Sequence, residues 1–244
     1  MPYLNAGMML LAQPGSLSSH NPYSWSRVQD GFSTFGSAAV LDLLGVVTDA
    51  GLRASWYHKW LVHRRLRPEA FGGRIHNHES GKARYPIHAD MLNSAVLKEN
   101  YDRFSSYLLT SAYPEGSPVH PSYPAGHAVI AGACVTVLKA FFAESRTIQN
   151  PVIASEDGLS LRPYTGAPLR VGDELNKLAS NISIGRNAAG IHYRSDGVEG
   201  MTLGEAVAIG VLTDLTTTWT EDFAGFSFTK FDGQPVTVRR PGSL

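Results

Sequence analysis

The sequence predicts an all-α protein, a helical bundle with small β-hairpins only at its periphery. Three observations carry this expectation. Apolar residues recur at three- and four-residue steps over several long stretches. The breaks between those stretches are marked by Pro, Gly and Asn. The chain has 244 residues, 43% hydrophobic and 17% charged, so it is long enough for a sizeable core and too apolar to stay disordered. It has no internal repeat and no clear boundary, and reads as one domain over residues 1–244.

Each element follows in order. Residues 1–31 are rich in Ser, Pro and Asn, with turn signals at Pro14-Gly15 and Asn21-Pro22, and read as a mostly irregular lead-in. From about Thr34 to Leu66, Val40, Leu41, Leu43, Leu44, Val47, Leu52, Trp56 and Trp60 form a helical stripe. Pro68 is expected to stop that helix, because proline cannot continue the hydrogen-bond ladder and restricts Arg67. Residues 69–93, with Gly72-Gly73 and several His, read as a loop, and a shorter helix covers roughly 94–109. A turn-rich link runs from Tyr113 to Pro118, and a strongly apolar helix spans about 126–143. A hairpin is predicted within 151–165 around Asp157-Gly158. Helices over about 172–187 and 194–219 follow, separated by Ala188-Ala189-Gly190. Two alternating runs around Asp232-Gly233 predict a closing hairpin within 226–240.

Composition narrows the function. Lys+Arg and Asp+Glu both number 21, so no bulk attraction draws the chain to nucleic acid or to an anionic membrane. The single cysteine, Cys134, excludes an intramolecular disulfide and a cysteine-based zinc cluster, and reads as a small buried residue. No run approaches the roughly 18 apolar residues of a spanning helix. The stretch Met8 to Ala12 is short and lacks a basic flank, so a signal peptide is not expected. The expectation is a soluble protein, cytoplasmic by default, with export by another route left open.

Three separated segments concentrate polar residues at predicted helix ends. The first runs from Lys59 to Pro68. Between Arg53 and Arg74 stand six Lys or Arg and one carboxylate, Glu69. Lys59 and Arg67, on one continuous helix, would be offset by about 80° and roughly 12 Å of rise, so their long side chains would converge on one anion. A solvated basic face is the plainer alternative. The second segment, His120 to Ala128, places Gly126-His127 at a helix start, where free N–H groups and a positive dipole end favour an oxyanion. Simple capping by His127 is the alternative there. The third runs from Gly185 to Asp196. Arg186 ends one helix, His192 begins the next, and Asp196 four residues later is expected on the same helical face. A carboxylate there accepts one imidazole N–H and frees the other nitrogen as ligand or nucleophile. A local surface pair is the alternative. Taken together, two Arg, one Lys, a helix N-terminus and an oriented His make a pocket for a tetrahedral oxyanion.

The order and spacing of these segments resemble the vanadium-dependent haloperoxidases and type 2 phosphatidic acid phosphatases. The family pattern, Lys-x(6 or 7)-Arg-Pro, Pro-Ser-Gly-His and Arg-x5-His-x3-Asp, corresponds to Lys59 through Arg67-Pro68, Pro124-Ala125-Gly126-His127, and Arg186 through His192 and Asp196. The stretches VHRRLRPEAFGG, PEGSPVHPSYPAGHA and GIHYRSDG resemble the red algal and cyanobacterial bromoperoxidases in particular. The resemblance implies a vanadate cofactor bound through His192, the residue that would ligate the metal, with Asp196 orienting it. It implies that Lys59, Arg67, Arg186 and the Gly126 N–H hold the equatorial oxygens. His127 would act as acid–base catalyst, His120 would match a second pocket histidine, and Lys59 would polarise bound peroxide. The implied substrates are hydrogen peroxide, bromide or iodide, and a small organic acceptor. Trp56 would either wall the halide site or pack in the core.

Two departures from the family stand out. Ala125 replaces the usual serine, whose hydroxyl hydrogen-bonds an oxygen of the anion. Losing such a bond costs on the order of 1.5–3 kcal/mol, so weaker vanadate binding is expected rather than a dead site. The chain also resembles only the C-terminal, catalytic half of these enzymes, so a homodimer or larger assembly is expected to cover apolar surface. The remaining histidines, His58, His63, His76, His78 and His88, are expected in loop and surface roles. Two other functions fit the same residues: a soluble acid phosphatase with His192 as phosphohistidine nucleophile, and a non-catalytic oxyanion-binding protein.

Overall fold

A computed structural model describes residues 2–242. It is a helical bundle with two small antiparallel hairpins. Helix α1 spans Pro2–Leu11 and α2 spans Ser37–Tyr57, running directly into a π-helical turn at His58–His63. Helices α3 (Pro68–Glu79), α4 (Ala89–Leu92) and α5 (Ala95–Phe104) follow, then α6 (Gly126–Phe141). Strands β1 (Val152–Ala154) and β2 (Leu161–Pro163) form one hairpin. Helices α7 (Val171–Ala188) and α8 (Arg194–Thr218) precede the closing hairpin of β3 (Phe226–Thr229) and β4 (Pro235–Val238).

Helix α6 is the axis of the bundle. It is buried from Ala128 onward, apart from Ile130, and packs against α2, α7 and α8. Small residues let α8 approach its backbone. A Cβ at Gly204 would overlap the Val129 carbonyl, and one at Gly132 would overlap that of Met201. The one charge inside this helix, Lys139, is accommodated. Its Nζ donates to Thr229 O at 2.7 Å, lies 4.4 Å from the Phe231 ring centroid, and faces Glu205 at 3.9 Å. Rings from Phe35, Phe141, Trp219, Phe223 and Phe226 close the end of the bundle away from the α6 N-terminus. Cys134 is buried, and burial pushes its thiol up to about 11.

Four expectations are corrected. The lead-in at 1–31 contains a helix, α1, whose Tyr3, Gly7 and Leu10 form one buried stripe against α2 and α6. The segment 69–93 is not a plain loop, because Pro68 starts α3 rather than only ending what precedes it. Its missing N–H costs nothing at the first helical position. The long helix from about 34 to 66 ends early: the π turn widens its last turn, and Arg64 takes a left-handed backbone at φ 44°. Trp56 is 50% exposed, so it is not a core residue. Both predicted hairpins are present, with turns at Asp157-Gly158 and Asp232-Gly233.

Candidate active site

The site lies where the π turn, the loop before α6, the start of α6 and the α7–α8 connection meet. Lys59 is 1% exposed, and its Nζ donates to Pro121 O at 2.7 Å and Ser122 O at 2.9 Å. Burial pushes its pKa down to about 7, helped by the charge of Arg67 and opposed by Asp196. Arg67 is also buried, immediately before α3. Its Nε donates to His120 O at 2.8 Å, one terminal nitrogen donates to Ile191 O at 2.8 Å, and the other lies 3.0 Å from His120 Nδ1. Lys59 and Arg67 therefore both bond the loop at 120–122, and they do so without a continuous helical rotation between them. The chain leaves the helix at Arg64 and a new helix begins after Arg67.

His192 is buried two residues before α8. Its Nδ1 meets Asp196 Oδ2 at 2.9 Å and its Nε2 meets Arg67 Nη1 at 2.9 Å. Ionised Asp196 only accepts and Arg67 only donates, so the ring is neutral, with Nδ1–H donating and a lone pair on Nε2. Burial pushes its pKa down to about 4, which holds the ring in that form. Asp196 sits at the third position of α8 rather than one turn along a shared helical face. It accepts from the Tyr193 N–H at 3.0 Å, while its own N–H donates to the Tyr193 backbone carbonyl at 3.0 Å. Its Oδ1 accepts from Arg65 at 3.0 Å, and Ser122 Oγ donates to Oδ2. Burial alone would raise this carboxyl, but the bonds from His192, Ser122 and Tyr193 outweigh it and hold the group below the usual range.

Three further residues complete the arrangement. Gly126 opens α6, and residue 125 supplies no side-chain cap, so the first N–H groups face the site unblocked by a cap. His127 follows, exposed. Partial burial and the charges of Arg186, Arg67 and Lys59 lower its pKa, and His120 is lowered likewise by burial and by Lys59 and Arg67. Arg186, in the last turn of α7, is half-buried, and its Nε has no hydrogen-bond partner among the described residues. Lys59, Arg67 and Arg186 thus concentrate positive charge around one buried carboxylate that Arg65 already engages. An unpartnered guanidinium N–H and an open helix N-terminus supply N–H donors of the kind a vanadate-like oxyanion requires, and the His192 Nε2 lone pair beside them is held by Arg67. An open groove of about 430 Å³ flanks the cluster, walled by Trp60, Arg65, Arg67, Val119 and His120.

A family model described as the VCPO second helical-bundle domain matches residues 40–221, from α2 to the end of α8 and across every residue of this site. The chain belongs to that family. This VCPO-domain chain is 43% identical over 260 residues to the vanadium-dependent bromoperoxidases of Corallina pilulifera and Corallina officinalis, covering 97% of itself and 43% of each relative. It is 38% identical to the vanadium-dependent bromoperoxidase of Ascophyllum nodosum, over 88% of itself and 41% of that relative. The homohexameric structure of the second vanadate-dependent bromoperoxidase from Ascophyllum nodosum superposes with a TM-score of 0.81 at 32% identity, covering 96% of this chain and 44% of that one. The chain spans less than half the length of the curated relatives it matches.

Within this VCPO domain the structure brings Lys59, Arg67, His120, His192 and Asp196 into direct or shared contact. It places Gly126, His127 and Arg186 around them. Sequence reasoning missed Ser122 and Arg65, which join Asp196 across 74 and 131 residues. It also missed Tyr193, whose ring lies 4.4 Å from the Arg65 guanidinium. Glu69, counted only as a stray carboxylate, accepts from the Ser117 N–H at 2.6 Å and ties down the loop that carries His120. The remaining histidines serve local structure. His76 Nδ1 accepts from the Tyr107 N–H, His78 Nδ1 from the Tyr85 N–H, and His58 stacks on His63.

Proposed function

We propose that this chain is a vanadate-dependent haloperoxidase that oxidises bromide or iodide with hydrogen peroxide and passes the oxidised halogen to small organic acceptors. The reading rests on one observation: a buried neutral imidazole, His192, turns its Nε2 lone pair to Arg67 within a cluster that includes Lys59 and Arg186. The names of the relatives, all vanadium-dependent bromoperoxidases, support it. The chemistry that bound vanadate supplies is activation of peroxide toward halide without a redox change at the metal.

The roles assigned to the chain's own residues follow from their donors. His192 would hold the metal through Nε2 in place of its contact with Arg67, while Asp196 fixes the tautomer through Nδ1–H, assisted by Ser122 and Arg65. Lys59, Arg67, Arg186 and the Gly126 N–H hold the negative oxygens. Lys59, desolvated and short of counter-charge, would be held fully protonated by a bound anion and would place its ammonium charge beside the oxygens of that anion. His127 and His120, both kept largely neutral, accept a proton from incoming hydrogen peroxide and return one to the departing oxygen. Overall, H₂O₂, halide and a proton yield hypohalous acid and water. The catalytic unit is one domain over residues 1–244, assembled as a homodimer or larger. The homohexameric relative supports that assembly.

The test is bromide-dependent bromination of a dimedone-type acceptor with hydrogen peroxide, with and without orthovanadate. Activity that appears with vanadate and vanishes in His192→Ala is expected. No bromination, together with vanadate-sensitive hydrolysis of a phosphate monoester, would instead assign the pocket to a phosphatase with His192 as nucleophile.

A further inference from the structure

Residue 125, which precedes the open turn of α6, is Ala, so the hydroxyl expected beside the Gly126 N–H is missing from that position. A different hydroxyl lies next to it. Ser55 is on α2, four residues before Lys59, and is fully buried. Among the described residues its Oγ has no hydrogen-bond partner, not even a carbonyl of its own helix. That is unusual, since buried serines commonly bond back to a carbonyl four residues earlier, as Thr48 and Thr136 do here. The nearest atom to a Cβ built on Gly126 is this same Oγ, at 3.6 Å. An unsatisfied hydroxyl thus abuts the glycine whose N–H opens α6, on the segment that also delivers the buried Lys59.

We propose that Ser55 is an oxyanion-binding residue that supplies, from α2, the hydroxyl donor that Ala125 cannot supply from the start of α6. This deepens the functional reading above and rests on it. The same tetrahedral oxyanion would be gripped by the α6 amides on one side and by Ser55 and Lys59, carried on a single helical segment, on the other. A lone hydroxyl without a protein acceptor is free to donate to an anion oxygen, and a hydrogen bond to a charged group is among the stronger kinds. The substitution at 125 is then compensated rather than merely tolerated.

The experiment is calorimetric titration of orthovanadate, and separately of inorganic phosphate, into the oxyanion-free chain. Four proteins are compared: the unmodified chain, Ser55→Ala, Ala125→Ser and the double variant. Ser55→Ala is expected to weaken both anions about tenfold. Its thermal midpoint without anion should equal or exceed that of the unmodified chain, because the variant removes a buried hydroxyl that lacks a partner. In the double variant, serine at 125 should recover most of the lost affinity. Equal affinity for vanadate in the unmodified chain and Ser55→Ala would overturn the assignment while leaving the oxyanion site standing. A lower midpoint with no rescue at 125 would overturn it by making Ser55 a structural residue. Absence of binding by the unmodified chain would overturn the oxyanion site itself, and this inference with it.

Discussion

Lys59 is the site residue that burial perturbs most plainly. In the unfolded chain its amine has the ordinary value near 10.5, whereas in the fold burial first, and Arg67 second, push it down to about 7. Between those values the unfolded chain binds more protons than the folded one, so folding stability rises with pH across that window. The unfolding free energy of the anion-free chain is therefore expected to climb by a few kcal/mol from pH 7 to pH 10. Lys59→Gln should flatten that rise without removing it, because burial lowers Lys139 in the same direction. Denaturant titrations at several pH values would measure both slopes, and equal slopes would refute the account. Ser122 makes a second case. Its hydroxyl and the Arg65 guanidinium hold Asp196, and Asp196 holds His192. Ser122→Ala should weaken vanadate roughly tenfold through loss of that outer support; unchanged affinity would show that Arg65 and the Tyr193 N–H suffice. These supports were invisible in the sequence for a physical reason. Lys59, Arg67, His127, Arg186 and His192 announce themselves by residue type at helix ends, while Ser122, Arg65 and Ser55 acquire meaning only from contacts made across the fold.

At the scale of elements, the site is held by the crossing of α6 and α8. The Ala125 N–H donates to Asp196 O at 2.9 Å, so the start of α6 and the first turn of α8 are tied directly together. Below that tie, Gly200 and Gly204 bring the helices into backbone contact. Gly204→Ala would drive a methyl into the Val129 carbonyl, which belongs to a helix backbone and cannot rotate away. We expect a loss of about 2–3 kcal/mol of stability and a weakened oxyanion site, because His192 and Gly126 would separate. A melting midpoint within a degree of the unmodified chain would show that the crossing has slack. The helices α6, α7 and α8 and both hairpins were legible in the sequence, because apolar period and turn chemistry act locally. The π turn was not. Its extra residue per turn is imposed where Lys59 buries its ammonium under the Pro121 and Ser122 carbonyls, a tertiary demand with no local signature. Helix α1 escaped notice for a related reason, since a ten-residue segment with no acidic first turn and no basic last turn depends on packing against α2 and α6.

At the scale of the whole molecule, the chain leaves apolar surface bare where it matters for the site. Trp56, Trp60, Leu61 and Val62, at the end of α2 and in the π turn, are between 48% and 68% exposed. They adjoin the segment that delivers Lys59, and Trp60 also walls the groove beside His120. Large rings and aliphatic side chains grouped in this way mark a surface meant to be covered. The proposed assembly gives a second copy that role, which would narrow the groove mouth and keep water from the cations. Light scattering at micromolar concentration should therefore report a dimer or a larger closed assembly. Leu61→Asp should shift it toward monomer, since a charge on each copy would be forced into the apolar contact. A single exposed substitution changes the fold of one copy by no more than about half a kcal/mol, so dissociation can be read separately from unfolding by circular dichroism. If the assembly shields the site, the monomeric variant should also bind vanadate more weakly and with a steeper dependence on salt, because solvent would then screen Lys59 and Arg67. A monodisperse monomer from the unmodified chain would show instead that these residues face water in the working protein.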